Sequence, residues 1–177
     1  LGPFIAAGRE LVRQGVKALT TTCGFMSLFQ EDLAHEFPVP VFTSSLLQLP
    51  FIERTLGPLG RVGVLTADAS NLTAEHLRRA GGDPERITIA GLEKEPAFRE
   101  AIFSGTGRID PAAIQAEVVR QTERLVTENE RIAAILFECA NLPPYAAAVQ
   151  KAVGLPVYDF TTMVCHVHAA LVRTAFS

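Results

Sequence analysis

Cysteine is scarce in this sequence, with three in 177 residues. An odd and small number argues against a disulfide framework and suits a reducing, cytoplasmic setting. Neither charge sign is in large excess: 16 Lys and Arg against 19 Asp and Glu leave a net −3. No Lys/Arg stripe is interleaved with aromatics, so nucleic acid is not an expected partner. No apolar run reaches the length of a membrane span and no signal peptide is visible, so no membrane partner is expected either. An initiator methionine is also lacking. The chain opens on "LGPFIAAGRELVRQG", an amphipathic helix pattern with Phe4, Ile5, Leu11 and Val12 on one broad face. An α/β chain ordinarily begins with a strand, so an N-terminal segment ahead of this helix is expected.

What is present is globular in composition, 48% apolar and 20% charged. That is enough for one large domain or two small lobes. Apolar β-branched runs and helical patterns alternate. Strands are expected at Val16 to Thr21, in "VPVFTSS", at 61–67, at 86–90, in "RIAAILFE" and in "LPVYDF". Helices are expected over 26–36, Ser45 to Leu56, "NLTAEHLRRAGG" with Thr73 as N-cap, a long one from Pro111, "PPYAAAVQKAVG", and a closing one, "TTMVCHVHAALVRTAF". The helix from Pro111 is the best marked, with Asp110 as N-cap and Ile114, Val118 and Leu125 at helical spacing. This alternation predicts parallel sheets wrapped by helices.

An internal repeat joins two of the cysteines. "ALTTTCGFMSLFQEDLAHEFPVPVFTSS", from Ala18, aligns without a gap on "AILFECANLPPYAAAVQKAVGLPVYDFT", from Ala134, at a constant shift of 116. Cys23 falls on Cys139, Phe29 on Tyr145, Pro40 on Pro156, Val41 on Val157 and Phe42 on Tyr158. Strand, cysteine, helix, proline and next strand therefore occur twice in one order. Each cysteine is placed at the carboxyl end of a parallel strand and ahead of a helix, the edge where open α/β sheets bind ligands. Unpaired N–H groups at a helix start favour both a thiolate and an anionic substrate group.

At "TTTCGF", "LFECANLPPY" and "LPVYDF" the sequence resembles the aspartate/glutamate racemase superfamily, which includes hydantoin racemases, arylmalonate decarboxylases and maleate isomerases. The resemblance implies an α/β fold of two pseudo-symmetric lobes, each a parallel sheet flanked by helices, with the active site in the interlobe cleft. The first lobe would comprise 1–58 plus 161–177, its N-terminal strand lying outside the sequence, and the second 59–160. It implies that Cys23 and Cys139 flank the α-carbon of a small carboxylate or related substrate, one thiolate removing the proton and the opposite thiol delivering one. Backbone N–H groups around Gly24–Phe25 and Ala140–Asn141, with hydroxyls of Thr22 and Thr66, would bind the substrate and its developing charge. No cofactor is implied. The expected activity is thus a PLP-independent racemase or epimerase, an isomerase. The alternatives are a decarboxylase or cis–trans isomerase of the same superfamily, or a non-catalytic small-molecule binding protein that kept the cleft. Self-association into a homo-oligomer is left open.

The departures are informative. Glutamate and aspartate racemases resemble Cys-Asn-Thr at the first site, where this chain has Cys23-Gly24-Phe25. At the second they carry Gly-Cys-Thr followed by His or Glu, against Glu138-Cys139-Ala140-Asn141 here. Asn141 can donate a hydrogen bond but cannot carry a proton at neutral pH. Glutamate and aspartate are therefore not the expected substrates. Glu138 either tunes the thiol, contacts substrate or caps backbone groups; Asp159 either lines the cleft or caps the last helix. In "CHVH" (165–168) no second ligand group completes a metal site, so none is expected, though His166 or His168 remains a candidate acid–base group. His35 and His76 are expected on solvated helix faces.

Overall fold

A computed structural model describes residues 1–105 and 107–175. In chain order it comprises α1 (Gly2–Arg13), β1 (Leu19–Thr20), α2 (Gln30–Glu36), β2 (Val41–Phe42), α3 (Leu49–Thr55), β3 (Arg61–Thr66) and α4 (Ala74–Arg79). Next come β4 (Ile87–Gly91), α5 (Pro96–Phe103), α6 (Pro111–Thr127), β5 (Ile132–Phe137), α7 (Ala146–Val153), β6 (Val157–Tyr158) and α8 (Phe160–Leu171). Short 3-10 helices at Gly24–Phe29 and Ser45–Gln48 lead into α2 and α3. All strand pairs are parallel, in a two-stranded sheet β1-β2 and a four-stranded sheet β4-β3-β5-β6. The expected α/β class with helix-flanked parallel sheets is what the chain adopts.

The four-stranded sheet is buried on both faces because β5 is apolar at every position and β3 carries no charge or polar side chain from Val62 to Leu65. On β5, Ile135 and Phe137 face a core with Val118, Leu125 and Val149 from α6 and α7. Ala134 and Leu136 face the opposite core, formed with Val62 and Val64 of β3 and with Leu46, Leu49 and Ile52 from the segment that ends in α3. The smaller sheet has its own core, Leu19, Met26, Leu33 and Val41, covered by Ile5 and Val12 of α1. Helix α6 begins as its sequence dictates: the Asp110 carboxylate accepts the Ala113 N–H at 3.0 Å, with Pro111 at the first helical position.

The internal repeat is present bond by bond. Leu19 registers with Val41 and Thr20 with Phe42, while Ile135 registers with Val157 and Leu136 with Tyr158. The Leu19 N–H donates to Pro40 O at 2.9 Å, and the Ile135 N–H to Pro156 O at 2.9 Å. Both bonds are related by the shift of 116 seen in the sequence.

Several local expectations change. The helix expected over 26–36 begins as a 3-10 turn and becomes α-helical only at Gln30. Helix α5 forms where the sequence reading placed nothing; Phe98 anchors it in the core, and the buried Glu117 carboxylate accepts the N–H groups of Ala97 and Phe98 at 2.8 Å. The closing helix ends at Leu171, and Phe176 at the end of its expected range lies outside the described residues, as does Thr106. Among the described residues no helix is long and apolar enough to cross a membrane.

Candidate active site

Two strands deliver the two thiols. β1 ends at Thr20 and leads through Thr21 and Thr22 to Cys23; β5 ends at Phe137 and leads through Glu138 to Cys139. Each cysteine then opens a tight turn, with the Met26 N–H donating to Cys23 O at 3.0 Å and the Leu142 N–H to Cys139 O at 3.1 Å. These bonds also repeat at the shift of 116, so the two cysteines occupy equivalent backbone positions.

The two turns touch. A Cβ built on Gly24 would lie 2.6 Å from the Glu138 carbonyl oxygen and on top of its Oε1. Only glycine allows this approach, so the residue after Cys23 is fixed by the residue before Cys139. Cys23 is also close enough to Cys139 for its charge to act on it. Thr21 ties the first turn to its sheet: its hydroxyl lies 2.5 Å from Thr43 O and 3.2 Å from Cys23 O. Ser45 ties the second, its hydroxyl donating to Phe137 O at 2.8 Å.

The environments of the thiols differ. Cys23 is exposed, whereas Cys139 is 9% exposed. Burial pushes the Cys139 thiol up; hydrogen bonds from Asn141 oppose this, and the charges of Glu138 and Cys23 add to it. The Asn141 amide donates to Cys139 Sγ at 3.6 Å. Glu138 is 2% exposed, and the Thr66 hydroxyl donates to its Oε2 at 2.7 Å. Its Oε1 is buried without a hydrogen-bond partner among the described residues. Burial raises the Glu138 carboxyl to about 7, against the lowering effect of the Thr66 hydrogen bond.

The structure therefore brings Cys23 and Gly24, after β1 of the smaller sheet, together with Thr66, Glu138, Cys139 and Asn141 at the end of the larger one. Thr22 is exposed beside Cys23, and Ala140 is half-buried beside Cys139. Phe25 packs edge-on against His76, with ring centroids 5.5 Å apart. His76 is buried rather than solvated, a correction to the sequence expectation: its Nδ1 accepts the Thr73 N–H at 3.1 Å, and burial lowers its pKa while Glu75 opposes. Asp159 caps α8, accepting the Thr162 N–H at 2.7 Å. His166 and His168 stand exposed on α8 and line grooves whose walls contain neither Cys23 nor Cys139. Among the described residues no three His, Cys, Asp or Glu side chains converge as a metal-holding group. The sequence reading missed Thr21 and Ser45, since their partners are backbone carbonyls that carry no sequence signal.

No family model matches the sequence. Unliganded arylmalonate decarboxylase superposes with a TM-score of 0.63 at 17% identity, covering 97% of this chain and 75% of that one. Allantoin racemase from Klebsiella pneumoniae superposes at 0.64 with 19% identity, covering 96% and 64%. The chain has the fold of the aspartate/glutamate racemase superfamily. The relatives found by sequence carry a different name. Dimethylsulfoniopropionate lyase 7 of Emiliania huxleyi is 36% identical over 168 residues, covering 90% of this chain and 49% of the relative. A dimethylsulfoniopropionate lyase of Durusdinium sp. clade D is 32% identical over 151 residues, covering 82% and 50%. The chain thus spans about half the length of the curated relatives it matches. These relatives are named lyases, which overturns the expected racemase or epimerase activity and the isomerase class with it. The physical reason for the error is plain. Racemisation and β-elimination can begin with the same act, removal of a proton next to a carboxylate, and a thiol pair does not record the fate of the resulting carbanion.

Proposed function

We propose that the protein is a carbon–sulfur lyase acting on dimethylsulfoniopropionate or a close β-sulfonio carboxylate. The 36% identity to a dimethylsulfoniopropionate lyase carries this reading, and the thiols that follow β1 and β5 supply the chemistry. The substrate is a propionate with a cationic sulfur on its β-carbon. A thiolate takes a proton from the α-carbon, that C–H bonding pair becomes the new carbon–carbon double bond, and the C–S bonding pair leaves with sulfur. The products are acrylate and neutral dimethyl sulfide, with the proton on the base. A sulfonium departs uncharged, so no acid is needed at the leaving group and one thiolate suffices.

We assign the base to Cys139. Burial disfavours its thiolate at rest, so the anion, once formed, is a stronger base than an ordinary thiolate. A sulfonium cation bound beside it favours that anion by direct attraction. Cys23 and the N–H groups of Gly24–Phe25 and Ala140–Asn141 are assigned to the carboxylate, whose negative charge grows as the proton departs. The test is to incubate the protein with dimethylsulfoniopropionate, measuring dimethyl sulfide by headspace gas chromatography and acrylate by proton NMR. The expected result is equimolar release of both, lost in Cys139→Ser. Absence of both products from the unaltered protein would sink the reading.

A further inference from the structure

Glu138 is not among the residues assigned to the base or to the substrate carboxylate, yet its side chain stands where the two thiol turns meet. The larger sheet holds it: its N–H donates to Leu65 O at 2.8 Å, and the Thr66 hydroxyl donates to its Oε2 at 2.7 Å. Its Oε1 meets the turn of the smaller sheet. A Cβ built on Gly24 would fall on that oxygen and 2.5 Å from the carboxyl carbon. The carboxyl thus fills the space that a side chain after Cys23 would take. Oε1 is buried with no hydrogen-bond partner among the described residues, and Glu138 as a whole is 2% exposed.

An unpaired buried oxygen costs far more as a charge than as part of a neutral group, because nothing replaces the hydration it gave up. The neutral acid therefore fits the closed contact. The anion fits only if water reaches Oε1, and Gly24 stands in the way. No cation is set against Glu138 among the described residues; the titratable groups beside it are Cys139, next in the chain, and Cys23, whose turn it meets. β3 and the segment ahead of α3 offer it the hydroxyls of Thr66 and Ser45. On α4, His76 packs on Phe25, and burial holds its pKa below the ordinary 6.5, so it is mostly neutral near pH 7.

We propose that Glu138 is a positioning residue: as the neutral acid it seats the Cys23 turn against the Cys139 turn, and on ionisation it admits water beneath Gly24 and lets the Cys23 turn lift. Burial raises this carboxyl to about 7, so both forms are populated near neutrality. A carboxylate there also opposes the Cys139 thiolate by repulsion. Both effects put the working state on the acid side of the Glu138 titration. The seat does not depend on which reaction the thiols perform; its effect on turnover rests on the lyase reading.

Met26 and Leu142 report the two turns separately, since their N–H groups donate to Cys23 O and Cys139 O. Amide hydrogen exchange on the full polypeptide, corrected for the intrinsic pH dependence of exchange, measures both. Met26 protection should fall about tenfold between about pH 6 and about pH 8 while that of Leu142 holds. Glu138→Gln cannot ionise, and in it Met26 should keep its protection. Thr66→Val removes the bond that lowers the Glu138 pKa, so the fall should move to higher pH; this variant carries the test if Glu138→Gln does not fold. Met26 protection that is flat in the unaltered protein, or that falls equally in Glu138→Gln, overturns the inference. So does an unmoved fall in Thr66→Val. For dimethyl sulfide release, kcat/KM of Glu138→Gln relative to the unaltered protein should rise about tenfold over the same interval. A flat ratio would show that the seat does not position the thiols. If no dimethyl sulfide appears at any pH while Met26 behaves as expected, the lyase reading fails and the seat stands.

Discussion

The half of the molecule around Cys139 and the half around Cys23 share a strand register, a turn and a proline, yet present their thiols differently. Strand β5 lies between β3 and β6 with apolar cores on both faces, and Cys139 is buried at its end. Strand β1 pairs with β2 alone among the described residues, and Cys23 is exposed. Equivalent local sequence therefore does not make equivalent thiols. Neighbours do, by removing water from one sulfur and leaving it around the other.

The sharpest way to break the comparison is at the thiols. Cys139→Ser is expected to cost dimethyl sulfide release about 10²–10⁴-fold, the usual scale for removing a general base. Cys23→Ser should cost less, because it leaves the proposed base in place; equal losses in the two variants would erase the asymmetry. Initial rates by headspace gas chromatography decide this.

The strands come next. Leu136→Ala cuts a fully buried side chain at the centre of β5 and should destabilise the fold by about 2–5 kcal/mol. Thr20→Ala, at the equivalent position of β1, removes an exposed side chain whose hydroxyl donates to Phe42 O at 2.7 Å. Its cost should be about 1 kcal/mol. Urea unfolding of both variants measures the gap, and comparable costs would mean that the smaller sheet is as well covered as the larger.

Glu138 should make the stability of the larger half pH-dependent. Its folded pKa, raised to about 7, stands above its ordinary value of 4.5. The fold therefore favours the protonated carboxyl. That contribution is fully present below pH 4.5 and is lost as pH rises towards 7, on the order of 3 kcal/mol. Glu138→Gln should flatten this part of the stability profile, and an unchanged slope between those pH values would show that Glu138 is not its source. The last of these effects belongs to the contact between the halves. Gly24→Ala sets a methyl against the Glu138 carbonyl and should cost about 1–3 kcal/mol in unfolding free energy, with a matching loss of turnover. A stable and fully active Gly24→Ala protein would mean that the two turns do not need their close approach.

Much of this arrangement was legible in the residues. The repeat was, because cysteine and proline are rare enough for Cys23 with Pro40 and Cys139 with Pro156 to mark register. The long helix from Pro111 was, because Asp110 and Pro111 act within one turn. Helix α5 was not, since "PAFREAIF" is short and depends on Phe98 reaching the core and on Glu117, on a different helix, to bind its first N–H groups. Nor was His76, whose polar helix face is covered by Phe25 from another segment. The reaction was not legible: the residues led to the expected racemase or epimerase, whereas the sequence relatives are named lyases.

By itself, then, the sequence determined the alternation of strands and helices, the pairing of two cysteines and their place at the carboxyl ends of parallel strands. These arise from short-range pattern: period, caps and rare residues at equal spacing. Only the tertiary structure decided that Gly24 lies against Glu138, that Thr66 holds that carboxyl, and that one thiol is buried while its counterpart is not. Those outcomes depend on which distant segments exclude water from a given atom, and solvent exclusion is a property of the packed chain that no local stretch encodes.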